Sequence, residues 1–289
     1  MRILLILILP VLFSCAKKES KKDNDSLFES QQSVGVVTKK LREASGLAAS
    51  KVNPGYLWTL NDGGNPSNIY LLNTKAEVVT TVELENVINR DWEDIIIGPG
   101  PKQDVNYIYV AEIGDNNAVY PTKMLYRFEE PILTDKKIVL DQIDTLLVQL
   151  PGGPRDTEAM MIDPVTKNFY IVSKREESVR LYEIKFPFVN DSLQVEEIAT
   201  LPLNRIVAAS ISPDGTEILM KNYGDIYYWQ RLNNESIAEA VKRKPIRLDY
   251  HPEPQGEAIT WNLDATGFYT LSESENGSAG GTLYYYKRK

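Results

Sequence analysis

Cysteine and histidine are nearly absent: the 289 residues contain one of each. An internal disulfide and a Cys/His zinc site are therefore excluded, and any Ser-His-Asp or Cys-His centre would have to use His251. A basic excess is missing too. Thirty-two Lys and Arg stand against 40 Asp and Glu, a formal net charge of −8, which disfavours a general nucleic-acid or anionic-membrane binder. No long helical period runs through the chain, and its apolar content of 43% with 25% charged residues excludes disorder, collagen and multi-span membrane architectures. Carboxylates, Arg, Lys and hydroxyls are left to carry any chemistry.

The one long apolar run, MRILLILILPVLFSC, is too short to span a bilayer and ends at the only cysteine. It reads as a secretion signal over residues 1–14. Leu12-Phe13-Ser14-Cys15 resembles the lipobox of bacterial lipoproteins, which implies cleavage before Cys15 and lipid on its sulfur and new amino terminus. The polar stretch that follows buries too little surface to fold, so residues 15–33 are expected to tether lipid to a domain spanning 34–289. The protein is thus expected in the bacterial cell envelope, at the outer membrane, touching lipid through its anchor only.

Beyond the tether the chain reads as short strands, apart from a candidate helix at 234–241 that Asn234 or Ser236 can cap. The strands repeat. Ser45-Gly-Leu-Ala precedes Leu57-Trp-Thr, Glu93-Asp-Ile-Ile precedes Tyr107-Ile-Tyr-Val, Glu158-Ala-Met-Met precedes Phe169-Tyr-Ile-Val, and Glu257-Ala-Ile-Thr precedes Phe268-Tyr-Thr-Leu; a weaker copy begins at Val207. Each copy continues with a third strand, and all but the last with a fourth. Four-stranded units of about fifty residues mark the blades of a β-propeller. The last copy lacks its outer strand, while an orphan strand at Val34–Thr38 precedes the first, so the ring is expected to close between the two ends of the chain. Five blades are expected. Six is the alternative, with a partial blade hidden in the long interval between Arg90 and Arg155, where 117–122 reads better as an inserted loop.

In a propeller the start of each inner strand and the end of each second strand meet around the channel. At the first place stand Arg42 with Ser45, Arg90 with Glu93, Arg155 with Glu158, Arg205 ahead of Ala208 as a candidate fourth arginine, and Glu257; at the second stand Asp62, Glu112 with Asp115, Lys174 and Glu273. Opposite charges therefore line one mouth. They can act as structural clamps between blades. Alternatively, Ser45, Glu93, Glu158 and Glu257 can hold a hard cation such as Ca2+, and Arg42, Arg90, Arg155, Asp62, Lys174 and Glu273 can receive an anionic or sugar-like ligand. His251 reads as a surface residue, Asn61–Gly64 and Ser212–Gly215 as turns, and the Tyr-rich third strands as packing between blades.

The motifs SGLAAS, LWTLNDGG, NRDWEDI, AEIGDNN, PRDTEAM, ISPDG and PQGEAI, between Ser45 and Ile259, resemble a widespread family of secreted bacterial propellers. More distantly they are similar to the SdiA-regulated and esterase-like phytase propellers. The motifs are specific to that family and not to a reaction. The ring with inward Ser and Glu is also similar in layout to calcium-activated nucleotidases, a resemblance that implies a central calcium, although no nucleotide-binding motif of that family is evident. Two function classes stay open: a lipoprotein that binds a small ligand over its charged mouth, and a metal-dependent hydrolase of phosphoesters or esters in which Glu112 or Asp115 activates water.

Overall fold

The structure, a computed structural model, describes residues 26–275 and 279–289. The expected signal segment, Cys15 and the first part of the tether lie outside the described residues. No helix among those described is long and apolar enough to cross a membrane.

Five sheets, each antiparallel through its four blade strands, form a five-bladed β-propeller. Blade I uses Ala44–Ala49, Leu57–Asn61, Asn68–Leu72 and Val78–Leu84; blade II uses Trp92–Gly98, Tyr107–Glu112, Lys123–Glu129 and Asp144–Val148. Blade III follows with Thr157–Ile162, Phe169–Ser173, Val179–Ile184 and Val195–Leu201, and blade IV with Ala208–Ile211, Glu217–Lys221, Ile226–Gln230 and the short Ile246–Arg247. Blade V has only three strands of its own, Gly256–Trp261, Gly267–Ser272 and Thr282–Lys287. Its outer strand is Gln32–Val36, antiparallel to Thr282–Lys287, so the two ends of the chain close the ring as expected.

Alternation along the strands explains why they read as almost unbroken apolar runs. Met160 faces blade II while its neighbours Ala159 and Met161 face blade IV, and Leu219 faces blade V while Ile218 and Met220 face blade III. Both faces of a blade are thus buried against another blade. Five clusters of buried side chains result, one at each boundary. The one α-helix, Ile237–Lys242, starts at a capping box in which Ser236 accepts from the Glu239 backbone and Glu239 reaches back to Ser236. Its Ile237, Ala240 and Val241 seal the outer end of the core between blades III and IV.

Two features depart from the sequence reading. The interval between Arg90 and Arg155 hides no sixth blade: besides the loop at 117–122 it contains Lys137–Leu140, which runs back to blade I and pairs in parallel with Val78–Leu84. Ser192–Leu193, from the blade III segment, pairs in parallel with the outer strand of blade II in the same way. The folded domain also begins before residue 34. Phe28, in the stretch expected as tether, is buried against Tyr228, Trp261 and Phe268, because a single large ring suffices to anchor a polar segment once a blade edge is there to receive it.

Candidate functional site

A β-bulge builds the mouth of the channel. In blades II, III and V the ladder between the inner and second strands skips one residue, and the skipped residues are Glu93, Glu158 and Glu257. A bulge leaves its extra residue out of the ladder and re-aims the side chain, which here delivers three glutamates to the channel. Blade I has the same bulge at Gly46, not at Ser45, so the expected equivalence is off by one residue. Ser45 corresponds to Thr157. Both hydroxyls donate across a blade boundary, Ser45 Oγ to the Glu93 carbonyl at 2.5 Å and Thr157 Oγ1 to the Ile113 carbonyl at 2.7 Å. The Ser45 hydroxyl is therefore an inter-blade clamp and does not join the glutamates.

The mouth opens into a cavity of about 490 Å³. Glu93, Glu158 and Glu257 line it with Asp62 and Glu273, against the cations Lys174, Arg175 and Arg205; Asn116, Tyr223 and Gln255 complete the wall. Lys174 serves two of the glutamates. Its Nζ lies 2.6 Å from Glu158 Oε1 and 3.7 Å from Glu257 Oε1, and Glu257 also accepts from the Tyr223 hydroxyl. Burial works against the Lys174 charge, yet these carboxylates outweigh it and hold the ammonium above the ordinary lysine range. Burial pushes the Glu158 carboxyl up to about 8, with Lys174 pulling the other way and Glu257 adding to the rise.

On the side of blades I and II no Lys or Arg among the described residues pairs with the inner glutamate; Lys123 and Arg90 act on Asp91 only from a distance. Glu93 is 3% exposed and its carboxylate has no hydrogen-bond or ion-pair partner among the described residues. Burial first, then the charges of Glu158, Asp62, Asp91 and Glu257, hold its carboxyl well above the usual range. Asp62 is raised to about 7 by burial, against the N–H of Gly63 that donates to it. Glu273 is raised to about 7 by burial and by Glu257. Three sets of carboxylates lie within 4.8 Å of one another: Asp62 with Asp91 and Glu93, Asp62 with Glu257 and Glu273, and Glu93 with Asp156 and Glu158.

Three of the arginines expected at the mouth, Arg42, Arg90 and Arg155, do not line it. Each turns to an acid of its own blade: Arg42 to Glu43 at 3.5 Å, Arg90 to Glu112 at 3.1 Å and Arg155 to Glu176 at 3.3 Å. Arg90 also stacks on the Tyr120 ring, 3.9 Å from its centroid. The two proposed bases are engaged elsewhere as well. Glu112, fully buried, accepts from the backbone N–H groups of Arg90 and Asp91 at 2.8 and 3.0 Å; Asp115 accepts from those of Val119 and Tyr120 at 2.8 and 2.9 Å and fixes the inserted loop. Neither lines the cavity, and His251 is exposed away from it.

Residues the sequence reading did not nominate complete the site. Asp91 and Asp156 each precede an inner glutamate by two positions, a spacing that repeats in RDWE and RDTE and was open to notice. Gln255 sits just ahead of an inner strand with φ of 37°, a left-handed conformation that costs a non-glycine residue energy and leaves no trace in composition; Arg205, the fourth arginine of the expected register, has φ of 53° and does line the cavity. The opposite end of the channel differs in character: a cavity of about 130 Å³, lined mainly by apolar groups including Leu47, Ile97, Ile162, Trp261 and Leu263. Of the two mouths, the first is the one where titratable groups converge among the described residues, and it is therefore the candidate site.

Fold and site define a five-bladed β-propeller with one charged and one apolar mouth. No family model and no curated protein matches the chain. Among solved structures it is similar to the Dos1 propeller, at 13% identity over 84% of this chain and 68% of that one, with a TM-score of 0.39.

Proposed function

We propose that the protein is a lipid-anchored lipoprotein of the bacterial envelope whose charged propeller mouth binds a small anionic ligand, with a divalent cation as part of the site. Arg205 is the observation that carries this reading. It is exposed on the cavity wall, holds a strained backbone through its N–H to the Lys174 carbonyl at 2.9 Å, and has no acidic partner among the described residues. With Lys174 and Arg175 it forms a cationic arc on the side of blades III and IV, facing the acids of blades I, II and V. A carboxylate or phosphate group fits such an arc through charge-assisted hydrogen bonds. Calorimetric titration of the chain with inorganic phosphate, citrate and a hexose phosphate tests it. At least one should bind saturably without turnover, and Arg205→Ala should weaken that binding by about 10-fold or more, the worth of a charged hydrogen bond. Failure of all three anions, or an Arg205→Ala titration identical to wild type, would overturn the reading.

A second reading, a metal-dependent phosphoester or ester hydrolase akin to the phytase-like propellers, draws on Glu273. Its carboxyl, raised to about 7 and facing the cavity, suits a general base near neutral pH better than Glu112 or Asp115. Calcium-dependent release of phosphate from a phosphoester panel, abolished in Glu273→Gln, would favour this reading over the first.

A further inference from the structure

Seven carboxylates approach the mouth, but most already have a positive or donor partner. Glu158 and Glu257 share Lys174, Asp156 accepts from Arg175 Nε at 2.5 Å and from the Asp115 N–H at 2.9 Å, and Glu273 accepts from Gln255 Nε2 at 3.0 Å. Asp62, Asp91 and Glu93 have no Lys or Arg within 4.0 Å among the described residues, although their oxygens lie within 4.8 Å of one another. We propose that these three, at the junction of blades I and II, hold one divalent cation of the calcium type, apart from Glu158 and Glu257, which Lys174 already serves. This assignment rests on the reading of the mouth as a cation-assisted site, and names its ligands.

Two observations beyond the acidic cluster point to an ion. Glu93 is an unpartnered carboxylate, 3% exposed and aimed into the cavity, and a bare buried charge of that kind costs several kcal/mol unless something positive meets it. The surrounding backbone is also cut away to make room. A Cβ on Gly63 would lie 2.6 Å from Asp91 Oδ1, and one on Gly114 would overlap Glu93 Oε1 and lie 2.5 Å from Asp91 Oδ2. Neither glycine has a left-handed φ, so what each supplies is the missing side chain and not a special turn. The two glycines and three carboxylates make a cradle with oxygen donors only.

The donor set selects the metal. Carboxylates with no nitrogen or sulfur ligand suit a hard cation, and oxygens on opposite sides of Ca2+ stand about 4.6–5.2 Å apart, against about 4.0–4.2 Å around Mg2+. Three side chains drawn from two blades suit the larger ion, which accepts flexible geometry where Mg2+ demands a near-ideal octahedron. The cation would neutralise the repulsion within the triad and present an open face to the cavity, opposite Arg205, where an anionic ligand can bridge the two.

Calorimetry and thermal melting of the chelator-treated chain with CaCl2 alone, no anion present, test the assignment. One Ca2+ should bind per chain and raise the melting temperature by mass action. Glu93→Gln and Asp91→Asn should each lower calcium affinity at least 30-fold and remove the rise, while melting no lower than wild type without metal, because each relieves repulsion; that second readout separates a lost ligand from a damaged fold. Glu158→Gln and Glu257→Gln should keep the affinity within about threefold. Retained affinity in Asp91→Asn together with its loss in Glu158→Gln would move the ion to Glu158 and overturn the proposal, as would no binding at millimolar calcium. Calcium binding in the wild-type chain with no binding of phosphate, citrate or the hexose phosphate would overturn the anion reading alone, so the two failures are distinguishable.

Discussion

Removing the Phe28 ring should destabilise the whole propeller, although the residue lies at the edge of a polar N-terminal stretch. Phe28 is 2% exposed, and its ring meets Phe268 edge-on at 4.9 Å, Trp261 at 5.8 Å and Tyr228 at 6.3 Å, with the Arg288 guanidinium 5.1 Å from its centre. It also forms a bridge with Arg288, and the Glu29 N–H donates to the Lys287 carbonyl at 2.8 Å, so the segment extends the seam that closes the ring. Deleting a buried Phe ring costs about 3–5 kcal/mol when neighbours cannot collapse into the space, and three rings fixed in two adjoining blades cannot. For a chain of this size that corresponds to a fall in melting temperature of about 6–12 °C. Phe28→Leu, which keeps the apolar volume and loses the edge-on rings and the stacked cation, should cost about 1–2 kcal/mol. Equilibrium urea unfolding of both variants measures this. A Phe28→Ala change below about 1 kcal/mol with an unchanged urea dependence would show that the segment before Gln32 lies outside the cooperative unit.

Gly46→Ala should cost about 2–4 kcal/mol in the same assay, since the residue has φ of 70° and its Cβ would lie 2.8 Å from Asp94 Cα; a neutral result would refute the bulge geometry of blade I. In chelator-treated protein, stability should rise as pH falls from about 9 to about 6. Asp62 and Glu273, raised to about 7, and Glu158, raised to about 8, take up protons there in the folded chain while the unfolded chain, with ordinary carboxyls near 4, does not; urea midpoints that fall over this range would contradict it. Cys15→Ala should move the protein from the membrane fraction to the soluble one, and a variant still bound after a high-salt wash would place the anchor elsewhere.

The repeat, the blade count and the closing strand were legible because each rests on local alternation that recurs five times. Asp62, Lys174, Glu273 and the three inner glutamates were legible for the same reason, since their positions follow from where strands begin and end. A bulge is harder to see. It changes register by one residue without changing composition, so Ser45 and Gly46 could not be told apart until the ladder was known. Lys137–Leu140 was missed because its partner is the outer strand of another blade, and nothing within four residues announces a parallel pairing so distant along the chain. Arg42, Arg90 and Arg155 misled because register fixes where a Cα sits and not where a long side chain ends: each had an acid nearer than the channel.

The seam of blade V also sets an order of events during synthesis. Among the described strands Gln32–Val36 leaves the ribosome first, and its partner Thr282–Lys287 last. The first strand must therefore remain unpaired while every other blade is made, and blade I likewise waits for Lys137–Leu140 and blade II for Ser192–Leu193. Contacts so distant in sequence make folding slow and leave open sheet edges exposed while it proceeds. A chain of this architecture needs protection from its own kind until its final residues arrive, and its half-made forms are more vulnerable to aggregation than its finished ring.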